Sequence, residues 1–149
     1  MNNQDQNLKT DEIFCIDEMM DELYIYVKNE LEKRGRQHVN VEILKYTDLD
    51  KCLVRTNRQR LWQIFTNLLD NVAKVTDRGY IFFGYHTGIE GTVRFFIEDT
   101  GMGIYIDSDL ELSIAQGLVQ QMGGKITVEP EKEAGMAIRF NINCKLVEE

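Results

Sequence analysis

Apolar residues at Ile16, Met19, Met20, Leu23, Val27 and Leu31 recur every three or four positions. That is the period of one helical face, and Gly35 stands where such a helix would stop. Val39, Val41 and Ile43 then alternate with polar residues, the period of a strand. A second short strand, Cys52 to Thr56, follows the turn-like stretch Thr47-Asp48-Leu49-Asp50. Asn57 is placed to cap the next helix, whose apolar stripe is Leu61, Ile64, Phe65, Leu68 and Val72. Asp77-Arg78-Gly79 breaks it. Two β-rich runs, Tyr80 to Tyr85 and Thr92 to Glu98, are joined by a turn from Gly88 to Gly91, which predicts a hairpin. A third helix is expected from Asp109 to Met122, ended by Gly123-Gly124. Two last strands, Lys125 to Glu129 and Met136 to Asn143, flank a polar turn holding the only proline, Pro130.

The order α-β-β-α-β-β-α-β-β, with one apolar face per helix, predicts a two-layer α/β (α+β) sandwich: a mixed sheet covered on one face by three helices. Residues 1–13 read as a flexible polar lead-in and 14–149 as one domain. At 149 residues and 43% hydrophobic, the chain can bury one core but not two.

The net charge of −8 repels phosphodiester backbones and anionic membrane surfaces, which argues against nucleic acid and direct membrane contact. No apolar run approaches the ~20 residues of a membrane span. The polar, acidic start, without a basic or apolar segment, does not read as a signal peptide. Cys15, Cys52 and Cys144 lack metal or disulfide spacing and are expected to be reduced core thiols, which suits a cytoplasmic setting. His38 and His86 sit in alternating stretches without a partner pattern and are expected to be half-exposed strand histidines.

At 100° per residue, Arg60, Gln63, Asn67, Asn71 and Lys74 fall on one stripe of the second helix, away from its apolar face. Asn67 and Asn71 are i,i+4 neighbours whose amides can converge on one object. An amide oxygen is a hard ligand that suits Mg²⁺, and Lys74, one turn on, can neutralise a phosphate. The plain alternative is a solvated helix face. A second candidate is the turn Asp99-Thr100-Gly101-Met102-Gly103-Ile104, directly after a strand. A carboxylate there can accept from an exocyclic amine such as that of adenine, and the glycines allow close backbone approach to a flat ring. The alternative is an ordinary glycine-rich turn. Neither a P-loop nor a G-x-G-x-x-G helix start is present.

Taken together and in order, these segments resemble the ATP-binding catalytic domain of sensor histidine kinases. Arg60 to Thr76 is similar to the N box of that family, and Asp99 to Ile104 is similar to its first glycine box. Leu112 to Ile126 resembles the helix and strand that follow its second glycine box. The resemblance implies the ATPase sandwich shared with gyrase-type and MutL-type enzymes. It implies that Asn67 and Asn71 hold Mg²⁺, Lys74 contacts phosphate, Asp99 reads the adenine amine of ATP, and Gly101 and Gly103 flank the base. It implies transfer of the γ-phosphoryl to a histidine on a separate dimerisation domain, in cis or in trans, with a response regulator served indirectly. The chain carries no His-Glu acceptor motif of its own.

The sequence also departs from that pattern. Where the family's second glycine box reads G-x-G-L-G-L, this chain has Asp107-Ser108-Asp109-Leu110-Glu111-Leu112. Ser108 and Glu111 are expected to form a capping box at the third helix, occupying donors that the family offers to phosphate. Asp107 and Asp109 add charge that repels a triphosphate. The alternative is recruitment of a second divalent cation. Only Tyr105, Ile106 and Asp107 stand where the family has a longer lid, so a nucleotide would lie open to solvent. Glu133-Ala134-Gly135-Met136-Ala137 replaces a turn whose hydroxyl commonly supports the adenine-reading aspartate. These departures favour the other reading, a pseudokinase-like regulatory domain with weak or no nucleotide binding.

Overall fold

The computed structural model describes residues 11–100, 112–131 and 135–147. Their elements run β1 (Asp11–Cys15), α1 (Ile16–Lys33), β2 (Asn40–Tyr46), β3 (Leu53–Asn57), α2 (Arg58–Val75), β4 (Tyr80–Thr87), β5 (Thr92–Asp99), α3 (Ser113–Gln121), β6 (Ile126–Glu131) and β7 (Gly135–Leu146). The seven strands form one sheet in the order β1-β3-β7-β5-β4-β2, with β6 paired to β7. Among the described residues only β2 and β4 run parallel; every other pairing is antiparallel. The expected mixed sheet with three helices is therefore the observed architecture.

The helices pack where their apolar stripes predict. Ile16, Met19, Met20, Leu23, Val27 and Leu31 of α1 are buried, as are Leu61, Ile64, Phe65, Leu68 and Val72 of α2. Phe65 is the centre of the core. Its ring meets Phe83 of β4, Phe95 of β5 and Phe140 of β7 edge-on, at centroid distances of 6.3, 5.6 and 5.2 Å. Burying each such ring stabilises the fold by about 1.5–3 kcal/mol. The Asn57 side chain accepts from the Arg60 amide at 3.1 Å, so α2 begins where the cap predicts. Gly35 ends the α1 segment with φ +72°.

Two local expectations change. Residues 11–15, the first three of them within the expected lead-in, form β1, antiparallel to β3. An edge strand with one pairing partner needs no apolar alternation, so pattern alone misses it. Pro130 lies within β6, opposite Met136, and not in a turn. Among the described residues β6 pairs only with β7, and an edge strand tolerates a residue without an N–H.

The sheet end that holds Lys45 and Tyr85 carries a polar knot. Tyr85 donates to Asp17 Oδ1 at 2.5 Å, Lys45 approaches the same oxygen at 3.1 Å, and the Cys52 amide donates to Oδ2 at 3.0 Å. Burial alone would raise the Asp17 pKa, but these partners outweigh it and hold the carboxyl below its ordinary value. Burial is also the main cause that pushes the Cys52 and Cys144 thiols up to about 11 and about 12. Cys52 and Cys144 lie in the core, whereas Cys15 is only half-buried, at the end of β1.

Candidate functional site

The opposite end of the sheet holds the candidate site. Only Thr76 to Gly79 separate α2 from β4, so the last turn of α2 lies beside the first residue of β4. The Tyr80 amide at that point donates to the Thr100 hydroxyl, and the Thr100 amide donates back to the Tyr80 carbonyl, both at 3.0 Å. This exchange ties the start of β4 to the end of β5, where Asp99 sits. Connectivity and strand pairing thus bring the C-terminal turns of α2 and Asp99 to one end of the fold.

Asp99 is 1% exposed, aligned with Ile81 on β4 and Met136 on β7. Its strand parity matches Ile97 and Phe95, so it faces the helices. Gly135, at φ +87°, packs so closely on Asp99 that a Cβ there would overlap the Asp99 carbonyl oxygen and Oδ1. The main chain of Gly135 therefore packs directly on Asp99, in the turn where the sequence suggested a lost hydroxyl.

On α2, Asn71 is 7% exposed and its Nδ2 donates to the main-chain oxygen of Asn67 at 2.9 Å. The two asparagines are thus together, and the solvated-face alternative fails for Asn71. Asn67 Oδ1 is buried and accepts no hydrogen bond among the described residues, and Thr76 Oγ1 is in the same position. A buried polar atom left unsatisfied costs about 1–3 kcal/mol. Such an oxygen beside a second carboxamide fits a Mg²⁺ ion, whose waters and ligand oxygens supply the missing partners. The donor set is chemically suited to that ion. Lys74 is exposed on the last turn of α2, where its ammonium is open to an anion.

Two groups hold this end in place. Arg36 donates through Nη1 to the main-chain oxygens of Ala73, Lys74 and Thr76 at 3.0, 2.5 and 3.3 Å. It satisfies carbonyls that a helix C-terminus leaves open. Tyr26 of α1 donates to both carboxylate oxygens of Asp70 at 2.9 and 3.0 Å, locking α1 to α2 one residue before Asn71. Burial is the largest cause that raises the Asp70 pKa, partly offset by that hydroxyl.

Gly101 and Gly103, with the whole stretch from Gly101 to Glu111, lie outside the described residues. That stretch includes the substituted second glycine box and the short lid. The described part of α3 begins at Ser113, with Leu112 before it and the Gln116 amide bonded to the Leu112 carbonyl. Ser108 and Glu111, the expected capping box, lie outside the described residues.

Sequence reasoning missed Arg36, Thr76 and Gly135. Thr76 closes the motif-like stretch and was legible there. Gly135 has a signal only as a glycine before a strand. Arg36 has none, because its partners lie nearly forty residues away.

Residues 56–146 match the family model described as "Histidine kinase-, DNA gyrase B-, and HSP90-like ATPase". The chain is 33% identical over 110 residues to the methanogenesis regulatory histidine kinase FilI of Methanothrix harundinacea, covering 60% of this chain and 12% of that protein. It is 28% identical over 118 residues to the sensory/regulatory protein RpfC of Xanthomonas campestris, covering 60% and 16%. The chain thus spans less than a fifth of the length of these relatives. Its fold superposes on full-length ShkA, solved in complex with AMPPNP, with a TM-score of 0.78 at 21% identity, covering 94% of this chain and 32% of that one. The nucleotide-free catalytic domain of histidine kinase ThkA gives 0.70 at 22% identity, covering 89% and 94%. With the motif order, the sandwich and the family match in agreement over most of its length, the chain belongs to the histidine kinase-, DNA gyrase B- and HSP90-like ATPase family.

Proposed function

We propose that this chain is the ATP-binding catalytic domain of a two-component sensor histidine kinase, acting in the cytoplasm. It would serve transfer of the ATP γ-phosphoryl to a histidine on a separate dimerisation domain, and through it a response regulator. The observation that carries this reading is the buried Asn67 Oδ1, without a hydrogen-bond partner among the described residues, beside the buried Asn71 and at the same end of the fold as the buried Asp99.

In this reading Asn67 and Asn71 hold Mg²⁺, which when bound neutralises phosphate charge during phosphoryl transfer. Lys74 steadies the phosphates as a point charge. Asp99 accepts from the adenine amine, while Gly135 and the β4–β5 pairing keep its carboxylate from swinging away. Gly101 and Gly103 flank the base. Positioning is the main contribution a chain can make to this chemistry. Neither histidine is offered as acceptor: His38 Nε2 lies 2.7 Å from the Asp77 carbonyl, and His86 stacks on Tyr46 at the far end of the sheet.

The acidic residues at Asp107, Asp109 and Glu111 favour a second reading, a regulatory domain that binds nucleotide weakly or not at all. Titration with Mg-ATP separates the two. At one hundred times its dissociation constant the nucleotide should stabilise the fold by ~2.7 kcal/mol. Asp99→Asn should remove that shift, and Asn67→Ala should remove its Mg²⁺ dependence. Absence of any shift at millimolar Mg-ATP would overturn the kinase reading and leave the regulatory one.

A further inference from the structure

The face of the sheet away from the helices is not uniformly polar. Strand alternation puts His86 of β4, Arg94 and Phe96 of β5, Arg139 and Asn141 of β7, and Thr127 of β6 on that outer side. These side chains line an open groove of about 710 Å³. Lys125 joins them at the β6 end, where its amide donates to Asn141 Oδ1 at 3.0 Å. The groove lies toward the Thr92 end of β5, away from Asp99, so its role is independent of the nucleotide reading.

Charge sets this groove apart. The chain carries 25 acidic against 17 basic residues, yet among the described residues that line the groove there are three cations and no acid. Arg139 pairs with Glu129 at 3.8 Å, with both side chains about half exposed or more. Such a pair contributes little. Neither Arg94 nor Lys125 makes an ion pair among the described residues. Arg94 is aligned with Asn141, and Arg139 is two residues from Asn141 on the same face. Strand spacings of ~4.8 Å and ~6.7 Å per two residues place all three cations within a short reach of one another.

Apolar surface accompanies the charge. Phe96 forms the floor at 4% exposure, beneath His86 and Tyr46, whose rings stack at 4.5 Å. At the rim, Ile89 is 88% exposed, on a hairpin turn in which Glu90 holds φ +65°. Exposed aromatic and aliphatic groups beside arginines are the composition of protein-contact surfaces.

We propose that this groove is a docking site for an acidic segment of a partner protein, in which carboxylates meet Arg94, Lys125 and Arg139 and an apolar side chain rests against Ile89. The shape favours a peptide over a compact anion. The groove crosses β4, β5, β7 and β6, a span of ~14 Å, which is the length of four to five extended residues. A phosphate-sized ion would use the cations and leave Ile89 and the exposed His86–Tyr46 stack unused. A field of this sign also speeds encounter with an acidic partner despite the net negative charge of the domain.

The test uses the full chain and a labelled octapeptide, Glu-Glu-Leu-Glu-Glu-Leu-Glu-Glu, followed by fluorescence anisotropy at low and physiological salt. Binding should weaken at least tenfold for the peptide in which glutamine replaces every glutamate. It should weaken at least tenfold for the variant Arg94→Gln/Lys125→Gln/Arg139→Gln. Ile89→Ser should weaken it about threefold without changing its salt dependence, since an exposed aliphatic contributes contact and not charge. Circular dichroism and the thermal midpoint report whether the triple variant folds; if it does not, Arg94→Gln alone should still weaken binding at least threefold. Equal binding of the glutamate and glutamine peptides, or undiminished binding by a folded variant, overturns the proposal. Tight binding of inorganic pyrophosphate with no peptide binding overturns it in favour of a small-anion site. Self-association abolished by the triple variant, with no peptide binding, overturns it in favour of a second copy of this chain.

Discussion

Replacing Gly135 by alanine asks two things of the fold at once. The backbone at φ +87° is one that an L side chain adopts at a cost of about 1–2 kcal/mol. The new Cβ is also driven into the carbonyl oxygen and Oδ1 of Asp99. Relieving such overlap in a packed site costs a further ~1–3 kcal/mol. Gly35 separates the two contributions. It has a similar φ of +72°, but a Cβ there meets nothing within 4 Å. Gly35→Ala should therefore cost about 1–2 kcal/mol, and Gly135→Ala about 2–5 kcal/mol. At ~3 °C per kcal/mol for a domain of this size, the midpoints should fall by ~3–6 °C and ~6–15 °C. Differential scanning calorimetry and urea unfolding of the two variants beside the parent chain measure the difference. Equal losses for the two would refute the claim that Gly135 packs directly on Asp99. A further readout links the packing to chemistry: displacement of Asp99 should weaken Mg-ATP binding in Gly135→Ala and leave it unaltered in Gly35→Ala.

Two other perturbations probe the supports of the site and of the core. Arg36→Ala removes the guanidinium from three main-chain oxygens at the end of α2 and should cost about 1.5–3 kcal/mol. The Thr76 amide, bonded to the Val72 carbonyl, should then exchange its hydrogen much faster, and unchanged exchange there would show that Arg36 does not clamp the helix. Asp17→Asn should destabilise the protein by about 1–3 kcal/mol at neutral pH, because it weakens the charge-assisted bonds to Tyr85 and Lys45. Since the folded-state pKa of Asp17 lies below its ordinary value of 3.8, its contribution is complete above that pH and is lost as pH falls through the folded value. The gap between Asp17→Asn and the parent chain should therefore close below about pH 4. A gap of constant size down to pH 2 would refute the assignment.

Much of this molecule is written in local periodicity. The stripe from Ile16 to Leu31 and the stripe from Leu61 to Val72 define two helices because burial selects a 3.6-residue period whatever the topology. The Asn57 cap and the Gly35 stop are equally local, since each acts on backbone groups within a few residues. The i,i+4 spacing of Asn67 and Asn71, and the aspartate that ends β5, were readable for the same reason. Strand pairing was not. Nothing in residues 11–15 marks them as a strand, because β1 exists only through its pairing with β3.

Tertiary structure alone decided which polar atoms lost their water. The helical wheel placed Asn71 on a polar stripe, and only packing made it buried and left Asn67 Oδ1 without a partner among the described residues. Arg36 reaches the end of α2 and Gly135 reaches Asp99 across separations that no pattern spans. The outer groove obeys the same logic: Arg94, Lys125 and Arg139 are scattered along the chain and become one cationic surface only when β5, β6 and β7 lie side by side. Periodicity reports which face a residue takes on its own element. What stands opposite that face depends on strand order and register, and those are settled by the burial of the whole core.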